Sequence, residues 1–359
     1  MALKGNKGEW SEVYVLLKSL SDGVLFAGDK NAERIKQLVY PIIKIIRDNS
    51  TGVVEYNVDK NLVFINGDGK VLYSLPISKF TDNAKYLLEQ IKNNGRTFEL
   101  PELEHFFNEI KCTSLKANST VKSDIRIVIH DLRTGQMPEL GFSIKSQIGC
   151  PSTLLNAGKT TNFIYKLSKK VSDSKMHEIN SISSKRKIMD RIQSLHEANC
   201  QLNFSKTAQT VLGNNLLLID SLLPEIISEL LLFYYSGHGS NVNKLVELLE
   251  KLNPLGFDQS SQHKFYLYKI KRLLTDIALG MIPSEVWSGK YDATGGCLIV
   301  KDSGDILCYH IYDRNEFEDY LIMNTKLETA SSGRHEFGTI YKDKDDFYIN
   351  LNLQIRFIK

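Results

Sequence analysis

The sequence predicts a mixed α/β (α+β) fold in which a β-sheet is flanked by helices. Short stretches with alternating apolar residues, typical of strands, occupy residues 53–76 and 124–145. Apolar residues at helical spacing dominate residues 186–280, and strand-like alternation returns from residue 295. We therefore divide the chain into three regions that can still pack as one compact unit: a core of residues 1–170, a mainly helical region of residues 171–280 and a β-rich region of residues 281–359.

The composition is that of an ordinary soluble protein. Of the 359 residues, 42% are hydrophobic and 24% are charged, so the chain can bury a core. A net charge of only +3 argues against a histone-like binder of nucleic acid, but it leaves sequence-specific DNA binding open. The five scattered cysteines lack metal-ligand spacing, and no signal peptide or membrane-spanning run is present. We therefore expect reduced thiols and a cytoplasmic protein.

The first part of the chain is predicted to begin with two helices. Trp10, Val13 and Leu17 share one face of a helix over residues 9–20, which Gly23 ends. Similar spacing predicts a second helix over residues 31–48. The elements predicted next are strands at 53–58, 62–67 and 70–76, with a turn at Asp68-Gly69, and helices at 82–93 and 101–112.

Residues 124–145 predict a hairpin that carries the candidate chemistry. Asp124 opens the polar face of the first strand, while Ser143 and Lys145 lie on the polar face of the second. A carboxylate can hold a hard divalent cation, and an ammonium group can orient the attacking water. The pattern therefore suits a metal-assisted phosphodiesterase, although an ordinary hairpin with its polar face in water has the same alternation.

The next segment predicts a helix from Ser152 to Ser168, behind the second strand of the hairpin. It contains AGKTT at 157–161, but a phosphate-binding Walker loop needs glycine where this chain has Thr153. That mismatch excludes the nucleotide-binding interpretation. The N-terminus of the predicted helix can instead receive a DNA phosphate, with Ser152, Thr153 and Lys159 as candidate contacts.

The remaining elements follow from the same patterns. Residues 166–187 are basic and serine-rich, which fits a solvated connection or an arm that follows DNA phosphates. Pro224 suits a helix start, and residues 237–239 break the chain. We predict helices at 186–199, 219–236, 241–252, 260–280 and 315–322, and strands at 295–302, 305–313, 339–343 and 346–356.

Several long strings of this sequence resemble the HpaII family of type II restriction endonucleases. They are GNKGEWSEVYVLLKSL at 5–20, GFSIKSQIGCPSTLLNAGKTTNFIY at 141–165, TKLETASSGRHEFGTIY at 325–341 and LNLQIRF at 351–357. The resemblance implies a PD-(D/E)XK nuclease core that cuts double-stranded DNA with Mg²⁺, leaving 5′-phosphate and 3′-hydroxyl ends. It also implies cleavage at CCGG after the first cytosine, and a cytosine methyltransferase that protects the host at the same site.

By the same resemblance, Asp124 matches the first carboxylate of the motif and Lys145 its lysine. Ser123 stands where the motif has proline, and Ser143 stands where it has the second acidic residue. Asp124 and the backbone carbonyl of Ile144 are expected to hold the metal ion. A neutral Ser143 leaves the site one negative charge short, which also allows an alternative: a nuclease-like scaffold that binds DNA without cutting it.

The missing ligand must come from elsewhere in the chain. Glu12, on the first predicted helix, is the first candidate, because an acidic residue on that helix often reaches the metal in nucleases of this kind. Gln147 is the second candidate and Glu139 the third. Glu12 and its neighbour Glu9 can also simply be solvated residues favoured by the helix dipole.

The open polar segment at 324–338 is expected to contact DNA. Arginine can bond guanine O6 and N7 together, which makes Arg334 the first candidate for reading a base. Gln354 and Arg356 share one face of the last predicted strand, in line with Asn350 and Asn352, so they can line the same groove or face solvent. The other candidate contacts in the segment are Lys326, Thr329, Ser331, Ser332 and His335.

Overall fold

A computed structural model of the protein describes residues 3–49, 52–67, 69–116 and 123–358. Over these residues the helices are α1 (Lys7–Asp22), α2 (Ile77–Asn93), α3 (Glu104–Glu109), α4 (Asp173–Ser181), α5 (Lys187–Glu197), α6 (Thr210–Ile219), α7 (Leu223–Tyr235), α8 (Val242–Leu252), α9 (Phe265–Leu279), α10 (Arg314–Met323) and α11 (Ser332–His335). Short 3₁₀ turns occur at Pro101–Leu103, Lys159–Thr161 and Ile311–Asp313.

The strands alternate with these helices, which confirms a mixed α/β fold. They are β1 (Lys4–Asn6), β2 (Val24–Gly28), β3 (Arg34–Asn49), β4 (Gly52–Asp59), β5 (Leu62–Gly67), β6 (Lys70–Pro76), β7 (Thr97–Glu99), β8 (Ile125–Ile129), β9 (Glu139–Ser146), β10 (Thr153–Leu155), β11 (Asn162–Leu167), β12 (Leu202–Thr207), β13 (Gly296–Val300), β14 (Ile306–His310), β15 (Thr325–Leu327), β16 (Ile340–Asp343), β17 (Asp346–Asn352) and β18 (Ile355–Phe357).

The largest sheet has nine described strands and closes partly on itself. Its order is β2-β14-β13-β9-β8-β3-β4-β5-β6, and β2 also pairs with β3. The first half of β3 pairs with β2 as far as Pro41, and the second half pairs with β8 from Ile42 and with β4 from Lys44 onward. Because β3 changes partners along its length, six strands form a barrel-like ring from which β4, β5 and β6 continue.

The predicted helix at 31–48 is wrong, because this segment forms β3. Its apolar residues fit a helical stripe, but they also include β-branched side chains, which pack well on a pleated sheet. Val39, Ile42, Ile45 and Ile46 belong to a strand bordered by β2, β4 and β8. Pairing along both edges of β3 supplies hydrogen bonds and burial. These outweigh the helical spacing of the apolar residues and determine the conformation.

The hairpin that carries the candidate chemistry is confirmed as β8 and β9. Ile125 pairs with Phe142 and Ile127 pairs with Leu140 in an antiparallel register. Ile125, Ile127 and Phe142 are buried against the core formed with α1 and α2, as the alternation predicts. The helix over 9–20 is confirmed as α1, which ends at Gly23 in the left-handed conformation with φ 68°.

The second half of the chain builds its own core around α7, α8 and α9, together with two smaller sheets. Their orders are β12-β11-β17-β16 and β10-β18-β15. β13 and β14 join this half to the first, since β13 runs parallel to β9. Leu298 and Val300 face the first core, while Cys297 and Ile299 face the second. These strands lie within the predicted β-rich region, and the three-region division stays a prediction.

The predicted helix from Ser152 to Ser168 is wrong. This segment instead forms β10, a 3₁₀ turn and β11. β11 contains Phe163, Ile164 and Tyr165, and it pairs with β12 on one side and β17 on the other. Aromatic and β-branched residues favour a strand with two neighbours, and this tertiary pairing overrides the helical spacing.

The C-terminal strand and the polar segment before it are more divided than predicted. The single strand expected at 346–356 is two strands, β17 and β18, which belong to different sheets. Asn350 and Asn352 are therefore not in line with Gln354 and Arg356. The open segment at 324–338 contains β15 and the single helical turn α11.

Most of the other predicted elements are confirmed. The helices predicted at 82–93, 186–199, 219–236, 241–252, 260–280 and 315–322 correspond to α2, α5, α7, α8, α9 and α10. The helix predicted at 101–112 is shorter, with a 3₁₀ turn followed by α3, and α4, α6 and β12 were not predicted. Asp68 of the predicted turn lies outside the described residues. In the described part of the chain, no helix has the length and apolar character needed to cross a membrane.

The alternation of β8 makes a simple test of the core. Ile127 is fully buried, whereas its neighbour Val128 is half-buried on the other face. We expect Ile127→Ala to lower the free energy of unfolding by about 2–5 kcal/mol, because it removes buried methylene groups and leaves a cavity. Val128→Ala is the matched control, and urea unfolding of both variants makes the comparison. Equal losses would contradict the assigned faces of β8.

Candidate active site and DNA-binding surface

Asp124 lies just before β8. It forms hydrogen bonds to β9 next to Ile125 and Phe142, the last residue pair between the two strands. Its backbone N–H donates to the carbonyl of Phe142 at 3.0 Å, and its Oδ2 accepts the N–H of Ile144 at 2.6 Å. In a strand, the N–H and C=O of one residue point to the same side. The carbonyl of Ile144 therefore faces the side on which Asp124 lies, so both oxygen donors of the predicted metal site are brought together.

Ser143 and Lys145 line the same cleft as Asp124. The cleft has a volume of about 560 Å³, and its opposite wall is the end of α9 with the loop that follows it. The Ser143 hydroxyl lies 3.4 Å from Oδ2 of Asp124, a long hydrogen bond. The structure thus brings the three residues of the predicted motif to one concave surface, as the hairpin register requires.

Cys297 lies close enough to the cleft for the charges of Lys145 and Asp124 to act on it. It pairs in register with Ser143 on the neighbouring parallel strand. Burial raises the pKa of the Cys297 thiol to about 12, with the positive charge of Lys145 opposing this rise and the negative charge of Asp124 adding to it. Both charged groups therefore act on one buried thiol, which remains neutral at physiological pH.

A close approach at Gly141 lets the segment before β8 lie against β9. A Cβ atom at Gly141 would lie 2.8 Å from both the Cβ and the Oγ of Ser123, closer than real Cβ contacts. The N–H of Gly141 also donates to the hydroxyl of Thr294 at 3.2 Å. A larger side chain here would displace Ser123, and with it the adjacent Asp124.

Glu12 approaches the site from α1. Burial and, to a smaller extent, the negative charge of Asp124 raise the pKa of Glu12, against the opposing positive charges of Arg47 and Lys116, to about 8. The first candidate for the missing carboxylate is thus near enough to Asp124 for the two charges to interact. Glu12 is half-buried, so it is not the freely solvated residue that the alternative interpretation assumed.

Glu9 has a different place. Its Oε2 accepts the N–H of Asn6 at 2.7 Å, which completes a capping box at the start of α1, and its Oε1 pairs with Lys116 at 2.9 Å. Lys116 also lies within reach of the charges of Glu12 and Asp124, which raise the pKa of its ammonium group after the larger effect of Glu9.

Three charged residues near the site were missed by sequence reasoning: Arg47, Lys116 and Asp292, the last of which lines the cleft itself. Arg47 is 2% exposed and donates from Nη2 to the carbonyls of Ser114 and Leu115, each at 2.7 Å. An arginine directly after the apolar pair Ile45-Ile46 was a usable signal, but the helix predicted there obscured it. No signal in the sequence pointed to Lys116, because its role depends on how the chain folds back toward α1.

The other two candidates for the missing ligand lie elsewhere. The side chain of Gln147 is directed toward Tyr320 on α10. Burial raises the pKa of Tyr320, and the polar side chain of Gln147 opposes that rise. Glu139 is at the opposite end of β9 from Lys145 and pairs with Arg126 at 2.5 Å. Asp131, the acidic residue just after β8, accepts the N–H of Arg133 at 2.9 Å in the turn between β8 and β9, as a turn residue does.

The donor set suits a hard cation such as Mg²⁺, which prefers oxygen ligands. Asp124, Glu12 and the carbonyl of Ile144 supply two carboxylates and one backbone oxygen. Among the described residues, no group of three or more His, Cys, Asp or Glu side chains lies close enough to hold a metal ion. A metal ion bound here would therefore need backbone oxygens or water among its ligands.

The predicted DNA-reading segment lies next to the cleft. Asn162 donates from its side chain to the carbonyl of His335 at 2.9 Å, and Lys159 forms an ion pair with Glu336, the residue after α11. Thr160, between them, lines the cleft. Arg334 is exposed on α11 and has no ion-pair partner among the described residues, so its guanidinium group is free to meet a ligand.

Several of the other residues predicted to contact DNA form ion pairs or hydrogen bonds within the protein. Arg356 pairs with Glu328 at 2.8 Å and donates to the carbonyl of Pro151 at 2.6 Å. Lys326 is opposite Arg356 on β15, and the exposed Thr329 shares a hydrogen bond of 2.9 Å with the Tyr234 hydroxyl. Ser331 and Ser332 flank the start of α11, and Gln354 is half-buried between β17 and β18.

Ser152 and Thr153 do not start a helix, so the helix N-terminus predicted for them is absent. The hydroxyl of Ser152 donates to the carbonyl of Ser146 at 2.6 Å and accepts the N–H of Ser146 at 3.1 Å. It thereby fixes the end of β9 just beyond Lys145. Thr153 pairs with Arg356 between β10 and β18.

The raised pKa of Glu12 predicts how stability varies with pH in the absence of metal. The folded protein keeps the Glu12 proton up to about pH 8, whereas a glutamate normally titrates near 4.5. The folded state thus binds more protons over this interval, and its stability relative to Glu12→Gln should fall as pH rises from 4.5 through 8.

Urea unfolding of both proteins in EDTA at pH 5 and at pH 8.5 measures this difference. Glu89→Gln, on the exposed face of α2, is the matched control and should follow the wild type. If the difference in the free energy of unfolding between wild type and Glu12→Gln is the same at both pH values, Glu12 does not have a raised pKa in the folded protein.

Comparison with known proteins agrees with the resemblance in the sequence. The family model for the HpaII restriction endonuclease matches residues 6–357. The chain is 46% identical to the type II restriction enzyme HpaII of Haemophilus parainfluenzae, over 99% of this chain and 98% of that protein. No solved structure matches the chain. With a family match over nearly all of its length, the protein belongs to the HpaII family of type II restriction endonucleases.

Proposed function

We propose that this restriction endonuclease cuts double-stranded DNA at 5′-CCGG, after the first cytosine, through a PD-(D/E)XK active site on β8 and β9. The single observation that carries the catalytic part is the shared cleft of Asp124, Ser143 and Lys145. Their strands pair in the register that the motif needs. The recognition sequence is supported by the close relationship to HpaII.

Mg²⁺ fits this site as the cofactor. Asp124, Glu12 and the carbonyl of Ile144 would hold the ion, because Asp124 is hydrogen-bonded to Ile144 and Glu12 lies within range of the charge of Asp124. Burial is the main cause of the raised pKa of Glu12, and the negative charge of Asp124 adds to it; a bound divalent cation would favour the ionised carboxylate. When bound, Mg²⁺ supplies charge neutralisation at the phosphate and increases the acidity of water.

Lys145 is the residue that acts on the reacting atoms. Its ammonium group is half-buried in the cleft, where it can orient the attacking water and stabilise the negative charge that develops on the phosphate oxygens. The water oxygen forms a bond to phosphorus, the bond from phosphorus to the 3′ oxygen breaks, and the 3′ oxygen takes up a proton. The products carry 5′-phosphate and 3′-hydroxyl ends.

A DNA-binding scaffold without cleavage is the second candidate, and the neutral Ser143 favours it. The hydroxyl lies in the position of a carboxylate and makes only a long hydrogen bond to Asp124. Glu12 is the proposed substitute for the missing carboxylate, supported by its charge interaction with Asp124. Binding of DNA in EDTA, without cleavage under any metal condition, would establish the scaffold instead.

The proposed partners follow from the restriction function. Double-stranded DNA is the substrate, and a cytosine methyltransferase acting on the same sequence protects the host without being a subunit. We propose a cytoplasmic location in a bacterium, where both proteins meet the genome. The number of chains that act on one site is left open, because the cleft described here belongs to one chain.

Cleavage of a plasmid of known sequence tests the chemistry and the site together. With Mg²⁺, we expect discrete fragments whose ends map to CCGG. Lys145→Ala should lower the cleavage rate by about 10²–10⁴-fold, because it removes the group that positions water, while binding in EDTA is retained. Lys79→Ala, which removes an exposed ion pair with Glu109 on α2 and α3, is the control and should cut normally. Fragments whose ends map to another sequence would reject CCGG as the recognition site but leave the nuclease activity established.

Arg334 is the proposed reader of a guanine. Arg334→Gln should weaken binding to a CCGG duplex by about 1–3 kcal/mol, because a bidentate contact to one base is lost. Binding to a duplex without the site should change little. Arg96→Gln removes a similarly exposed arginine beyond α2 and serves as the control. Fluorescence anisotropy in EDTA measures binding to both duplexes. An equal loss of affinity for the two would show that Arg334 contacts a phosphate and not a base.

A further inference from the structure

A basic groove lies between the start of α5 and the segment that precedes α11. One wall is formed by the consecutive cations Lys185, Arg186 and Lys187, and the other by Thr329 to Gly333. The cavity has a volume of about 450 Å³. Among the described residues that line it, none is an aspartate or a glutamate. We propose that this groove binds the phosphodiester backbone of the DNA duplex beside the reading turn α11.

The three cations are available for this contact. Lys185 and Arg186 are exposed and Lys187 is half-buried, and none of them has an ion-pair partner among the described residues. Such cations beside a cavity without acidic side chains produce a local positive potential, although the net charge of the chain is only +3. A polyanion offsets this potential, and phosphate oxygens are the acceptors that lysine and arginine prefer in DNA.

The opposite wall supplies neutral donors. The hydroxyls of Ser331 and Ser332 flank the first turn of α11, and Gly333 has no neighbour within 4 Å of the position that a Cβ would take. Serine hydroxyls commonly bond to phosphate oxygens, and an open glycine lets a backbone approach closely. The wall therefore fits a sugar-phosphate strand rather than a base edge.

The groove is also longer than one cavity. A second cavity of about 400 Å³ shares Lys187, Ser332 and Gly333 with the first and continues toward Tyr341 and Asn350. Its one lining carboxylate, Glu336, is neutralised by an ion pair with Lys159. The continuous surface suits an extended strand, whereas a single small anion needs only one such cavity.

The position of the groove is consistent with one DNA molecule reaching the cleft. The segment that holds Ser331 and Ser332 leads directly to His335, whose carbonyl is bonded to Asn162 beside the cleft wall. A strand in the groove is thus adjacent to α11, and α11 is adjacent to the cleft. The inference rests on the proposed function, because it assigns one further part of the same DNA footprint.

The test compares two double variants with the same change of charge. Lys185→Gln with Arg186→Gln removes two groove cations, and Lys60→Gln with Lys70→Gln removes two exposed cations near the far edge of the nine-stranded sheet. Binding to duplexes with and without CCGG is measured in EDTA as a function of salt concentration. The groove variant should bind both duplexes more weakly by the same factor, and its slope of log K against log [salt] should be smaller in magnitude by about 2, because two phosphate contacts are lost.

Two results would overturn the groove. Equal slopes for the groove variant and the control variant, in a protein whose wild type binds DNA, would show that these cations do not meet phosphates. A loss confined to the CCGG duplex would make them base readers instead. Failure of the wild type to bind or cut any DNA is a separate outcome, since it rejects the proposed function itself.

Discussion

The parallel pairing of β9 with β13 is the constraint on which the rest of the structure depends. β9 carries the residues of the proposed active site and pairs with β8 on its other side. β13 and β14 have one face in each of the two cores, so this pairing, together with that of β14 and β2, attaches the helical second half to the strand of the proposed active site. Without it, the end of α9 would not form the opposite wall of the cleft.

The sequence was sufficient to predict the hairpin and most of the helices, because their patterns are local. Isoleucines at every second position of β8 and the glycine at the end of α1 leave few alternatives. β3 and β11 could not be predicted in this way, since their apolar residues fit both periodicities. What decides them is the presence of strands on both edges, and those strands come from distant parts of the chain.

The candidate site shows the same division between local and distant information. Asp124, Ser143 and Lys145 follow from the hairpin register and were predicted together. Glu12 was proposed from resemblance, and the structure brings its charge within range of Asp124. Arg47 and Lys116 depend on contacts between separate elements, and an unpaired carboxylate gives no sequence signal of which cations will balance it.

The hydrogen bond from Asn162 to the carbonyl of His335 has a mechanical consequence. Asn162 is itself held by Asn352, whose side chain donates to Asn162 Oδ1 at 2.7 Å and to the carbonyl of Gly158 at 2.8 Å. These bonds tie α11 and the turn at the cleft wall into one stiff unit. A displacement of α11 is therefore carried to the cleft wall within a few bonds. In the proposed complex, a duplex poorly seated on α11 would also misplace the scissile phosphate.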